Sequence, residues 1–447
     1  MGAMKRFKLK IQDSLSRNKR NNLACLTFAC ALCVLVWQRY EPGEADDKTE
    51  RGVQEQVAPT TTIELFTRFV PFNDTYSLRR QTVVDVCKHP NGPATAAHRY
   101  IKVPLFKENP IISRKHNLLF CPVGKVASSF LTRYFIAMEK PGVMTSPYDI
   151  PIEKAGRERC TSLRSLKTTA NMMSFFHKST KIVFGRNPYS RIFSAYIDKL
   201  FSPNPFYWKY WGERSLRLSR AMKVGAPCAS DVTFQQFVKL VLFDLGKKDV
   251  HLRAVSAVCN MCGVVYDVIG KVETVGDDLD YLSEKFNISS AFQHADGYRL
   301  AASMDAVYDS VNSVFSWKRD VSRCISLDQM GLRVWRKLQI RGIIDSRVHF
   351  PFKPGQMADV TLSMFVDACR TAILNSTDRA QLKRQTNQAM LEAYSTVSVA
   401  DLISISALYR DDMLMFGYEP KPSQLFEHRD AVKQTGYLKW GVPWVVS

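Results

Sequence analysis

The sequence predicts an α/β fold, a central parallel sheet flanked by helices, behind one N-terminal transmembrane helix. Three observations predict it. Short apolar runs alternate with stretches of helical periodicity, as parallel βαβ units require. Two of those runs end in loops that open directly into a helix, the architecture that binds phosphate. Near the N-terminus, 18 residues from Asn21 to Gln38 carry no charge and separate a basic flank from an acidic one.

The N-terminal element comes first. Lys5, Arg6, Lys8, Lys10, Arg17, Lys19 and Arg20 precede the uncharged stretch, and Glu41, Glu44, Asp46 and Asp47 follow it. Positive charge stays on the cytosolic side, so residues 1–21 read as a cytosolic tail, 22–38 as a signal anchor, and the remainder as lumenal. The span is short, which suits a thin early-secretory membrane. A cleaved signal peptide is the alternative, but Leu35-Val36-Trp37-Gln38 offers no small-residue cleavage site. Residues 39–95 are polar and read as a stem; residues 96–447 read as the globular body.

A lumenal body sits in an oxidising compartment. Of eleven cysteines, Cys25, Cys30 and Cys33 lie in the span. Cys87, Cys121, Cys160, Cys228, Cys259, Cys262, Cys324 and Cys369 follow it, an even number that permits disulfides of unreadable connectivity. Cys259 and Cys262 form a C-x-x-C with no second ligand pair, so a disulfide is favoured over zinc and no metal is required. Asn-x-Ser/Thr sequons stand at Asn73, Asn287 and Asn375.

The net charge is +20, and about +14 of it lies beyond the tail and span. Such a surface suits anionic partners: nucleotides, acidic lipid headgroups, nucleic acid or acidic polysaccharides. Lumenal topology argues against nucleic acid.

Within the body, Leu118–Cys121, residues 181–184 and residues 264–269 read as buried strands. A helix is expected from Ser129, with Phe130, Tyr134 and Met138 spaced by four, and another after Pro188, with Ile192, Tyr196 and Leu200. Ser398 and Asp401 open a last helix carrying Leu402, Ile405, Tyr409 and Phe416, closed by Gly417.

The first loop, Val123-Gly124-Lys125-Val126-Ala127-Ser128-Ser129, combines a glycine, a lysine, two hydroxyls and a helix start. It is not a Walker A loop, because Val126 stands where the magnesium-binding hydroxyl belongs, which weighs against a nucleotide triphosphatase or kinase. The second, Phe184 to Tyr196, places Arg186 at a strand end and Arg191 and Ser194 one helical turn apart, a fork and a hydroxyl suited to a phosphate. Taken singly, each pattern also fits a surface lysine in a turn or an ordinary amphipathic helix.

Together the two loops resemble those of the Golgi carbohydrate sulfotransferases of the HNK-1 and chondroitin 4-O-sulfotransferase type. That family's first loop reads V-P-K-V-A-C-T-N-W-K-R, against V-G-K-V-A-S-S-F-L-T-R from Val123 to Arg133. Its second reads F-V-R-D-P-F-E-R-L-L-S-A-Y, against F-G-R-N-P-Y-S-R-I-F-S-A-Y from Phe184 to Tyr196. Asp249-Val250-His251, Cys259-Asn260-Met261-Cys262 and the run from Tyr266 to Thr274 resemble a third block, and Leu408 to Tyr418 resembles the closing helix. Gly124 departs from the family's Pro, Thr132 from its second Lys, and Asn187 and Ser190 from acidic residues. Residues 290–385 match nothing in the pattern and read as an insertion or a diverged segment.

The resemblance implies a P-loop-like sulfotransferase fold in the Golgi lumen and 3′-phosphoadenosine 5′-phosphosulfate as donor. It implies donor contacts from Lys125, Val126, Ala127, Ser128, Ser129 and Arg133 at the 5′ end, and from Arg186, Arg191 and Ser194 at the 3′-phosphate. The acceptor is expected to be a carbohydrate hydroxyl, on an acidic glycan by the charge. His251 is the first candidate for general base, with Lys125 supporting the transferred group. His98, His116 and His177 are weaker candidates, and Glu273 is either a base or a strand-end partner. A non-catalytic glycan- or nucleotide-binding membrane protein of the same fold is the competing class.

Overall fold

The computed structural model describes residues 75–89, 92, 110–139, 146–151, 162–220, 228–287 and 299–439. The 22–38 anchor, the stem up to residue 74, Asn73, His98 and Cys160 lie outside these residues. No single helix among the described residues is long and apolar enough to cross a membrane.

Four strands form one sheet in the order β1 (Ile111–Ser113), β2 (Leu118–Cys121), β3 (Thr180–Gly185) and β4 (Val268–Lys271). β1 is an antiparallel edge; β2, β3 and β4 run parallel, with Phe120 opposite Ile182 and Ile182 opposite Val268. All four residues of β2 are buried, as expected of a strand covered on both faces. The third apolar run pairs only from Val268. The preceding Val264 and Tyr266 pack into the core as a loop, held by the Tyr266 hydroxyl donating to the Cys259 carbonyl.

The helices that cover the sheet start where the local chemistry dictates. Helix α1 spans Thr75–Lys88, α2 Ser128–Met138, α3 Thr169–Lys178 and α4 Pro188–Tyr196. The Asn187 side chain caps α4 by accepting from the Tyr189 and Ser190 amides, with Pro188 in the first turn. Asn187 thus satisfies the cap without the charge an acidic residue would bring. A wide turn, Ile197–Phe201, extends α4 and ends with the Ser202 amide on the Ile197 carbonyl.

Three expectations change. The stem does not extend to residue 95: α1 belongs to the body. Its Arg79 donates to Asp278 and to the Ile269 carbonyl, Tyr76 also donates to Asp278, and Cys87 is bonded to Cys262. Nor is the described part of 290–385 a peripheral insertion. It forms α5 (Arg299–Ser316), α6 (Leu327–Ile340), α7 (Leu362–Leu374) and the start of α8 (Arg379–Ser395). Their Val307, Val311, Val334, Leu338, Phe365 and Ala389 share one hydrophobic core with Ile192, Tyr196 and Leu200. Finally, the closing helix is two helices, α9 (Val399–Leu408) and α10 (Arg410–Phe416). The break falls at Tyr409, which is buried and whose hydroxyl donates to the Leu252 carbonyl. Gly417 ends α10 in the left-handed conformation (φ 63°).

Among the described residues three disulfides join Cys87 to Cys262, Cys121 to Cys259 and Cys228 to Cys324. Cys259 and Cys262 are therefore bonded to distant partners rather than to each other. Cys121 is the last residue of β2, so its bond fixes the end of that strand to the segment that follows His251.

Candidate functional site

Three parallel strands deliver their loops to one edge of the sheet, the place where open α/β sheets bind ligands. From β2 comes Val123–Ala127. Lys125 (φ 65°) and Ala127 (φ 49°) both adopt left-handed backbone, at about 1 kcal/mol each for a residue with a Cβ. Alternating conformations of this kind turn successive amides inward and make an anion-binding nest. Val126 anchors the loop in the core. Helix α2 follows with no side chain capping its first turn, so the amides at its N-terminus, where Ser128 and Ser129 begin the helix, stay open.

The four sequence blocks meet here. Arg186, leaving β3, donates from Nη1 to the Lys125 carbonyl (3.1 Å) and from Nε to the Ser190 hydroxyl (3.2 Å). Arg191 is 1% exposed; its Nε donates to the Gly124 carbonyl (3.0 Å) and its Nη1 to the Arg253 carbonyl (2.7 Å). Its Nη2 has no hydrogen-bond partner among the described residues. Burial pushes the Arg186 guanidinium down to about 10 and lowers that of Arg191 as well, yet Arg186 stays cationic at neutral pH. Ser194 lies one turn beyond Arg191 on α4. After β4, Glu273 accepts from the Asn187 amide (2.9 Å) and the Tyr418 hydroxyl (2.8 Å), which makes it a strand-end partner that ties loop two to the closing block. From α10, Asp412 accepts the Val255 and Ser256 amides beneath the His251 segment.

Among the described residues His251 is the histidine at this edge. Its Nδ1 pairs with Asp249 Oδ1 (2.9 Å), and the same oxygen accepts the His251 amide (2.8 Å). Burial alone would raise the Asp249 carboxyl; the hydrogen bonds from His251 outweigh it and hold the acid below its ordinary value. A carboxylate on Nδ1 favours the tautomer that leaves Nε2 as the acceptor. His116 sits in the turn before β2 and His177 at the end of α3 before β3, both at the opposite edge of the sheet.

Lys125 is mostly buried (16% exposed) and donates to Asp198 on the wide turn. Lys199 and Lys337 contact the same carboxylate at 3.1 and 3.0 Å. Three ammonium groups thus share one carboxylate, which their fields hold well below the usual range against the opposing effect of burial. Burial pushes the Lys125 ammonium down to about 8, with Asp198 acting the other way. Asp198, Lys199 and Lys337 carry this electrostatic design without having stood out in the sequence. Asp198 follows the second motif by two residues, which is the only local sign; Lys337 arrives from α6 and left none.

Arg133 does not face the loops. It is 2% exposed and forms a fork with both oxygens of Asp305 (2.8 and 2.6 Å) and a bond to the Ile150 carbonyl. The expected donor contact from Arg133 at the 5′ end is corrected: its guanidinium is engaged by Asp305 of α5. A separate cavity of about 450 Å³, lined by Leu332, Trp335, Arg336 and Phe350 among others, lies on the face of α6 away from Lys337 and includes no residue of the four blocks.

Residues 108–329 match the model of the sulfotransferase family. Among curated proteins the chain is 24% identical over 221 residues to carbohydrate sulfotransferase 11 of Mus musculus, covering 48% of this chain and 62% of that protein. It is 28% identical over 222 residues to carbohydrate sulfotransferase 8 of Mus musculus (48% and 51%), and 26% identical over 246 residues to carbohydrate sulfotransferase 12 of Xenopus laevis (49% and 58%). The matched region thus spans a little over half the length of these relatives. No solved structure matches the chain significantly. Residues 108–329 are therefore a domain of the sulfotransferase family, and the relatives that share it are carbohydrate sulfotransferases.

Proposed function

We propose that this protein transfers a sulfuryl group from 3′-phosphoadenosine 5′-phosphosulfate to a hydroxyl of a carbohydrate, from the lumenal side of a Golgi membrane to which one N-terminal helix anchors it. The observation that carries the reading is the convergence of the Lys125 loop, the Arg186 loop and His251 at the carboxyl edge of a parallel sheet. The uncapped end of α2, the nest at Lys125 to Ala127 and the unpaired Arg191 Nη2 fit a polyanionic donor. Three disulfides among the described residues fit an oxidising lumen.

Sulfuryl transfer, like phosphoryl transfer, asks the protein for positioning and charge stabilisation. The donor brings an activated sulfuryl group and an anionic leaving group. The loop amides, Ser128 and Ser129 hold its 5′ end, with Lys125 neutralising charge that develops there. Arg186, Ser194 and Arg191 hold the 3′-phosphate. His251, oriented by Asp249, accepts the proton of the acceptor hydroxyl at Nε2. Lys199 and Lys337 keep the site cationic where Thr132 and Arg133 do not contribute.

The test incubates the full chain in detergent micelles with ³⁵S-labelled donor and a glycan panel: chondroitin, dermatan, desulfated heparan and N-glycan termini. Label on a glycan, lost in Lys125→Ala and Arg186→Ala, is the expected result. Donor binding without transfer to any glycan would favour the non-catalytic reading. Absence of donor binding would overturn the proposal.

A further inference from the structure

Between the wide turn that bears Asp198 and the site's outer rim runs Pro205-Phe206-Tyr207-Trp208-Lys209-Tyr210-Trp211, with five aromatic rings in seven residues. The fold divides them by face. Trp208 and Trp211 are buried; Trp208 Nε1 donates to the Leu200 carbonyl (2.8 Å) and the Trp211 ring stacks on Phe237. The Asn204 side chain caps the turn by accepting the Tyr207 amide. The backbone is therefore fixed from beneath. Phe206 and Tyr210 point the other way, each 55% exposed, and their rings lie against one another with centroids 4.4 Å apart.

This exposed pair is continuous with the reactive groups. Tyr207 touches Phe206 (5.1 Å between centroids) and Trp211 (4.7 Å), and both Tyr207 and Trp211 present edges to the His251 ring at 6.0 and 5.9 Å. On its other side Tyr207 lies under the Lys199 ammonium (4.7 Å), which itself contacts Asp198 beside Lys125. One contiguous surface thus leads from two solvent-facing rings to the candidate base and on to the cation cluster. Large exposed apolar patches mark binding surfaces, and a rigidly mounted aromatic pair lowers the ordering cost of binding. The negative face of an aromatic ring attracts the weakly positive C–H groups on the apolar face of a pyranose.

We infer that Phe206 and Tyr210 form a stacking platform for a sugar ring of an oligosaccharide acceptor, and so position its hydroxyl against His251. The inference rests on the proposed glycan transfer for its purpose, but its test does not depend on turnover. Both side chains are exposed, so their removal leaves the fold and the donor site intact.

The test measures binding of chondroitin, dermatan, desulfated heparan and N-glycan oligosaccharides to the full chain in micelles, by saturation-transfer NMR and titration. It compares the wild type with Phe206→Ala/Tyr210→Ala and with Phe206→Tyr. Expected are binding of at least one oligosaccharide, a loss of about tenfold or more in the double variant, retention in Phe206→Tyr, and unchanged melting temperature and donor affinity. In the transfer assay the loss falls on the acceptor KM rather than on kcat at saturation. Glycan binding equal in wild type and double variant, or none in the wild type, overturns the platform. Binding lost in the double variant with no transfer by any form leaves the platform standing and removes the transferase reading. Transfer with an unchanged acceptor KM does the reverse.

Discussion

The backbone of Gly124 lies directly against that of His251: a Cβ added at Gly124 would come within 2.9 Å of the His251 Cα and 2.7 Å of the Val250 carbonyl oxygen. The Lys125 loop and the candidate base are therefore a single mechanical unit. Glycine at this position, where related loops carry proline, lets the two segments close on each other.

Gly124→Ala separates them. Neither neighbour is the far end of a flexible side chain, so the His251 segment has to move by several tenths of an ångström. The expected result is a kcat loss on the order of 100-fold, since small misplacements carry that cost. Nucleotide affinity changes far less. Steady-state kinetics beside calorimetry of 3′,5′-bisphosphate binding check it; unaltered kcat would refute the coupling.

The Lys125 ammonium titrates at about 8 in the free protein, and its charged form is the useful one. As pH rises through that value the proton leaves and kcat/KM falls, giving an alkaline limb near pH 8. Asp198 raises this value and Lys337 lowers it. Asp198→Asn therefore moves the limb to lower pH, and Lys337→Met moves it to higher pH. A pH profile of kcat/KM for the three proteins reads both shifts; movement in the same direction would contradict the cluster.

Asp249 holds His251 through Nδ1. Asp249→Asn frees the ring to adopt the wrong tautomer, and a rate loss on the order of 100-fold or more is expected. His251→Ala is expected to lose more, and the double variant no more than His251→Ala alone, because the two act as one unit. Additive losses in single-turnover measurements would place Asp249 in a separate role.

Arg191 and Ser194 divide between fold and ligand. Arg191→Met strands the Gly124 and Arg253 carbonyls, at roughly 1–3 kcal/mol each, so a clear fall in melting temperature is expected along with weaker nucleotide binding. Ser194→Ala disturbs no hydrogen bond among the described residues. It is expected to keep the melting temperature and weaken binding of the 3′-phosphate by about tenfold. Thermal shift with and without 3′,5′-bisphosphate separates the two.

The Cys121–Cys259 bond spans 138 residues and pins β2 to the His251 block. Removing it with the paired Cys121→Ser/Cys259→Ser change costs up to about 5 kcal/mol by chain entropy. A lower denaturant midpoint is expected, with kcat falling in the residual folded protein. An unchanged midpoint would mean that the segment is held by packing alone.

The parts of the candidate site that are local are legible in the sequence. Lys125, Arg186, Arg191 and Ser194 were visible because each stands at a fixed spacing from a strand end or a helix start, and that spacing is written in the chain. The parallel sheet was visible for the same reason, since a strand buried on both faces must be apolar throughout. The membership of α1 in the body and the break in the closing helix are not legible where polarity or periodicity has to stand in for contact. Helix α1 is polar yet is held by Asp278 and a disulfide; Tyr409 fits helical spacing yet breaks the helix by reaching Leu252.

By itself, then, the sequence determined the strand–loop–helix units and the cations they carry, because short-range sterics and hydrophobic periodicity act on neighbours along the chain. Only the tertiary structure decided the cysteine pairing, the burial of Arg133 against Asp305, the meeting of Lys125, Lys199 and Lys337 on Asp198, and the seat of Gly124 on His251. Apart from the adjacent Asp198 and Lys199, those relations join residues 73 to 175 positions apart, and a long-range contact leaves no period in a sequence: it is fixed by how the core packs, not by what stands beside each residue.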